Sequence, residues 1–124
     1  MKVVLSIKPE FAFKIFEGDK IYEFRKAIFK KKGIKKVVVY ASAPISMVIG
    51  EFEIADIIHD ELESLWKTTN LYAGIDEKYF YEYFADREMG YAIKIKSSLL
   101  YVNRLCIRKE FGLTPPQSFA YLLV

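Results

Sequence analysis

The chain has 124 residues, 52% of them apolar and 16% aromatic, with a formal net charge of +3. That length and composition suit one folded domain over residues 1–124 and exclude a disordered chain. The lone Cys106 rules out an intrachain disulfide, and the longest uncharged run, residues 37–50, is too short and too punctuated to span a bilayer.

The N-terminal MKVVLSIKPE has a brief apolar patch and no small-residue cleavage site, so a cytoplasmic protein with no membrane segment is expected. Charge is unevenly distributed. Residues 1–36 carry eleven Lys/Arg against four Asp/Glu, whereas residues 51–90 carry three against eleven. Such a chain can fold with one basic face that attracts a polyanion, or its two halves can neutralise each other.

Val3 to Ile7 reads as a short, mostly buried strand. Pro9 can open a helix and Gly18 can close it in a left-handed cap, with Phe11, Ala12, Ile15 and Phe16 on one face. Residues 20–26 alternate as a second strand. The basic run 30–36 reads as a loop before the β-branched strand 37–41. Residues 42–44 turn, and residues 46–58 read as a long strand with a bend at Gly50.

The acidic middle changes to helical period. Asp60 is the expected cap of a helix with Leu62, Leu65 and Trp66 on one face, and Asp76 the cap of an aromatic helix over 76–85. Residues 91–95 and 99–105 read as two further strands. The two prolines at 115 and 116 bar a regular helix before about Gln117, and the apolar tail suits an edge strand. Short strands with two to three helices predict an α+β fold with a small barrel-like sheet.

Several chemistries are excluded by residue content. There is no phosphate loop, dinucleotide fingerprint or zinc spacing, and His59 with Cys106 cannot build a Cys/His metal site, so neither metal nor cofactor is expected. His59 suits a surface or capping role, and Cys106 a small buried hydrophobe. Tyr79, Phe80, Tyr83 and Phe84 at helical spacing suit core packing, with base stacking as the alternative. Lys30, Lys31, Lys32, Lys35 and Lys36 suit nucleic-acid backbone contacts, or simply a solvated loop.

The stretch GDKIYEFRK, residues 18–26, differs from all of these. Alternation puts Glu23 and Arg25 on one face and Tyr22 and Phe24 on the other, with Lys20 just upstream. The pair is either a structural ion bridge or the floor of a binding site.

The ordered motifs Lys8-Pro9, Gly18-x-Lys20 and Glu23-x-Arg25, followed by VVVYASAPISMVIGEFEI and PPQSFAYL, resemble the ASCH domain family over nearly the whole chain. The resemblance implies a PUA-like β-barrel with helices at its rim and a cleft that accepts RNA or a nucleotide. It implies ligand contacts from Lys8, Lys20, Glu23, Arg25, Tyr40 and Ser42, in RNA processing or transcription-linked regulation. Some relatives hydrolyse the amide of acetylated cytidine with a lysine, a threonine three residues on, and a glutamate. Others are ribonucleases. Here Glu23 stands in the threonine's place, so the enzymatic alternative is a metal-independent hydrolase acting on RNA or acetylated cytidine with Lys20 and Glu23 as an acid/base pair. A protein-interaction role for the aromatic helix 76–85 is the third reading.

Overall fold

The computed structural model describes residues 1–123. Val124, the end of the apolar tail, lies outside the described residues. In chain order the elements are β1 (Lys2–Ile7), α1 (Pro9–Glu17), β2 (Tyr22–Arg25), β3 (Lys36–Ala41) and β4 (Met47–Glu61). They continue with α2 (Leu62–Thr69), a 3-10 turn (Asn70–Tyr72), α3 (Glu77–Tyr83), β5 (Met89–Leu105), α4 (Ile107–Phe111) and β6 (Phe119–Leu122).

The six strands form a mixed sheet in the order β2-β5-β4-β3-β1-β6. β1 and β3 run parallel and the other neighbours antiparallel. The hydrogen-bonded ladder stays open, with β2 at one edge and β6 at the other. No helix among the described residues is long and apolar enough to cross a membrane.

Local chemistry accounts for most boundaries. Pro9 occupies the first turn of α1, where its missing N–H has no intrahelical partner to lose. Gly18 closes that helix at φ +88°, a conformation that a Cβ disfavours. Asp76 caps α3 by accepting from Tyr79 N at 2.8 Å.

β1 and β3 are buried on both faces, which explains their unbroken apolar runs, whereas much of β5 is exposed. Val3, Leu5, Ile7, Val37 and Val39 pack with Ala12 and Ile15 of α1, Phe52 of β4 and Ile93 of β5. The opposite faces of β1 and β3 send Val4, Val38 and Tyr40 against Ile107 of α4 and Leu122 of β6. A further cluster joins Tyr22 and Phe24 of β2 to Leu65 of α2, Phe80 of α3, Phe84 at the end of that helix, and Ala92 of β5.

Four expectations need correction. Asp60 is a strand residue paired with Gly90, because β4 runs on to Glu61, which precedes α2 without a side-chain cap. The two strands expected over 91–105 are one strand, β5, broken in apolar rhythm at Ser97 and Ser98 but paired there with Glu53 and Phe52. Register shifts between Val48 and Gly50 and on either side of Ile54 let β4 and β5 bend while remaining paired. α4 was not expected, and Cys106 is half-buried just ahead of it rather than in the core.

Candidate functional site

A cavity of about 490 Å³ opens between the end of β2, the start of α1, the β3–β4 turn, α3 and the segment before β6. That volume suits a small-molecule or single-nucleotide ligand. Four cationic side chains line it, Lys8, Lys20, Arg25 and Lys26, against one carboxylate, Glu23. A concave, low-dielectric site with that balance attracts anions.

Glu23 and Arg25 form the most constrained part of the wall. Arg25 Nη1 donates to Glu23 Oε2 at 3.2 Å and to the Ser6 carbonyl at 3.2 Å. Its Nη2 donates to the Ser118 carbonyl at 3.1 Å and to Ser118 Oγ at 2.7 Å. Both side chains are nearly buried, Glu23 at 6% and Arg25 at 9% exposure. The pair stands where the two edges of the sheet approach each other, so Arg25 ties β2 to β1 and to the residue just before β6.

The alternation of β2 holds. Tyr22 and Phe24 belong to the apolar cluster under α2 and α3, although Phe24 also reaches the cavity wall. Arg25 nonetheless differs from a free anion hook, since both terminal nitrogens already have two acceptors each.

Lys20 precedes β2 rather than lying in it, and it is 2% exposed. Its Nζ donates to the Ala73 carbonyl at 2.6 Å. The same ammonium lies 4.9 Å from the Phe24 ring and 5.5 Å from the Phe11 ring. Burial disfavours the charged amine and lowers its pKa to about 8, against the opposing pull of Glu23. A lysine near neutrality can give or take a proton at physiological pH.

The segment over Lys20 is shaped for it. Gly74 adopts φ +71°, and a Cβ there would stand 2.6 Å from Lys20 Cγ. Lys14 Nζ holds the Gly74 carbonyl at 3.0 Å, so two lysines grip adjacent carbonyls of one short loop.

α3 supplies the facing wall. Its aromatic residues and that of its C-cap divide by helical period: Phe80 and the capping Phe84 are fully buried, while Tyr79 and Tyr83 line the cavity. Tyr83's hydroxyl pKa is raised, chiefly by burial, with Arg25 and Glu23 as opposing charges. Lys26 Nζ sits 5.0 Å over the Tyr83 ring. Lys8 Nζ lies 5.9 Å from the Tyr79 ring and donates to its hydroxyl at 3.3 Å.

The expected site residues are therefore partly gathered. Lys8, Lys20, Glu23, Arg25 and Ser42 line the cavity. Tyr40 does not: it packs in the apolar cluster with Val38, Val48 and Ile107. Alternation along β3 puts its ring on the face of Val38, one residue before the strand ends at Ala41 and two before Ser42, which lines the cavity.

The lysines of the basic run are also placed elsewhere. Lys30, Lys31, Lys32 and Lys35 are exposed, and none of them lines the cavity. The backbone N–H groups of Lys30 and Lys31 donate to the Tyr121 hydroxyl, which fixes the loop against β6. Lys36 starts β3 and pairs with Glu51 at 3.5 Å, beside a smaller depression. Sequence reasoning missed Lys26, Ser6 and Ser118. Lys26 ends the strand motif and could have been found there; Ser6 and Ser118 meet Arg25 only through the fold.

An open mixed α+β sheet with a cationic cavity at its seam is the class of structure these observations define. No family model matches the chain. A curated protein of Zymomonas mobilis named ASCH domain-containing ribonuclease is 29% identical over 126 residues, covering 98% of this chain and 84% of that protein. The crystal structure of ASCH from Zymomonas mobilis superposes with a TM-score of 0.89 at 26% identity, covering 98% of this chain and 87% of that one. The large ribosomal subunit protein uL22 of Ureaplasma parvum is 25% identical over 122 residues, and the match covers 97% of this chain but 39% of that protein. The chain is thus similar to ASCH domain proteins over almost its whole length and shares their fold.

Proposed function

We propose that this chain is a single RNA- or nucleotide-binding domain of barrel-like, PUA-related form, with the cavity at its seam as the binding site. The observation that carries this reading is the lining itself: four cations against one carboxylate, faced by two tyrosines of α3, in a space of about 490 Å³. Lys8, Lys26 and Lys20 supply the charge that meets the ligand, while Glu23 and Arg25 hold the wall. Ser42 offers a hydroxyl at the rim. The name of the Zymomonas relative, a ribonuclease, is consistent with an RNA ligand.

A second reading is catalytic and is favoured by Lys20. Its lowered pKa and its proximity to Glu23 provide an acid and a base in one cavity. In RNA cleavage, Glu23 takes the proton of a ribose 2′-hydroxyl as that oxygen attacks the adjacent phosphorus. Lys20 then gives a proton to the departing 5′-oxygen, leaving a cyclic phosphate and a free hydroxyl. No metal enters this scheme.

Incubation with total RNA and with acetylated cytidine, followed by mass spectrometry of the products, separates the two readings. Retention of intact RNA supports the binding domain. Cyclic phosphate ends that disappear in Glu23→Gln support the nuclease. Release of acetate from acetylated cytidine instead supports the amide hydrolase. Absence of both binding and turnover rejects the assignment of the cavity.

A further inference from the structure

Two cation–aromatic pairs stand side by side at the cavity mouth. Lys8 lies against Tyr79, and Lys26 lies over Tyr83. Tyr79 and Tyr83 are four residues apart on α3, so their Cβ atoms stand about 5–6 Å from each other along one helix face. The lysines come from unrelated parts of the chain, one after β1 and one after β2, yet each reaches its own ring.

Their charge is uncompensated. Among the described residues neither Lys8 nor Lys26 has an ion-pair partner, and the cavity carboxylate, Glu23, is bound to Arg25. A ring face steadies an ammonium without neutralising it, and both lysines are exposed, so their remaining protons are available to an anion. Each ammonium is held at its own ring, so the mouth offers two separate cationic positions one helical turn apart along α3.

We infer that the mouth binds two successive phosphates of a single nucleic-acid strand, one at Lys8–Tyr79 and one at Lys26–Tyr83, with the strand running along α3. The ligand class is then an oligonucleotide rather than a free nucleoside. This inference rests on the nucleotide reading of the cavity and adds the number and place of the phosphates.

Calorimetric titration of the full chain with three probes tests it: uridine, uridine 5′-monophosphate, and 5′-phosphorylated diuridylate, which carries two phosphates. We expect diuridylate to bind at least about tenfold more tightly than the monophosphate, and Lys8→Gln or Lys26→Gln each to weaken it about tenfold. The slope of log K against log salt should fall in magnitude by about 0.7 for each substitution. Lys67→Gln, on α2 and outside the cavity lining, serves as the control and should leave both unchanged. Circular dichroism of each variant establishes that it is folded.

Monophosphate binding as tight as diuridylate, or a slope that responds to one lysine alone, would overturn the two-phosphate inference while leaving the nucleotide site standing. Failure of all three probes, together with failure of a longer RNA, would overturn both.

Discussion

Arg25 Nη2 reaches Ser118 Oγ at 2.7 Å across ninety-three positions of sequence, while Nη1 of the same guanidinium holds Glu23 at 3.2 Å. β2 and β6 are the two edges of the sheet and share no ladder. The seam between them is closed by a side chain, and the cavity sits along that seam. An arginine in this position fixes the wall of the cavity by its own hydrogen bonds.

Loss of that side chain should be costly to stability. Arg25→Ala removes four hydrogen bonds and leaves the Glu23 carboxylate buried without its partner. Breaking a buried pair from one side costs about 3–5 kcal/mol. Urea unfolding should show a loss of that order, and Arg25→Ala with Glu23→Gln should be less damaging than the sum of the two. A loss below about 1 kcal/mol would mean that the guanidinium is held too loosely to act as a latch.

Lys20 should make stability rise with pH in alkaline solution. Its folded pKa is about 8 and its ordinary value 10.5, so between those limits the unfolded chain binds the extra proton. More protons on the unfolded state means that raising pH favours folding. The contribution is fully present above 10.5 and lost as pH falls through 8, a span on the order of 3 kcal/mol. Unfolding midpoints of the wild type and Lys20→Met across pH 7–10.5 give the measurement. The difference between them should change in the wild type's favour as pH rises, and a constant difference would contradict the burial-driven shift.

If RNA is cleaved, Lys20 also sets the upper limb of the pH profile. As the acid it must carry its proton, so the rate should decline above pH of about 8. Glu23→Gln should lower turnover about a hundredfold or more with little change in affinity. A rate that keeps rising past pH 9 would assign Lys20 the opposite role.

Gly74→Ala should strain the loop above Lys20. The position has φ +71°, and the added methyl would stand 2.6 Å from Lys20 Cγ. A loss of about 1–3 kcal/mol in thermal or urea unfolding is expected. Gly33→Ala shares the positive φ but has open space around it, so its loss should be smaller.

Neutral replacement of Lys30, Lys31, Lys32 and Lys35 should alter RNA affinity less than Lys8→Gln with Lys26→Gln, although it removes twice as many charges. The four exposed lysines lie away from the cavity lining and act only through screened, long-range attraction. Filter binding at two salt concentrations compares them. A larger loss from the loop variant would move the main phosphate contacts to the loop.

By itself the sequence determined what depends on near neighbours. Pro9 and Gly18 bounded α1, Asp76 capped α3, and the alternation of residues 22–25 separated the Tyr22 and Phe24 side from the Glu23 and Arg25 side. The order of the Lys8-Pro9, Gly18-x-Lys20 and Glu23-x-Arg25 motifs carried the resemblance to ASCH domain proteins. These features follow from capping, φ restriction and a period of two, each acting within a few residues. Tertiary structure decided how such pieces meet. Ser6 and Ser118 join Glu23 in holding Arg25, Lys26 reaches Tyr83, and Tyr40 turns into the α4 cluster, all through contacts between distant parts of the chain. Alternation names a face of a strand but not what covers that face. Lys20 gives the sharpest case: its charge is written in the sequence, but its pKa near 8 comes from burial beneath a loop more than fifty residues away.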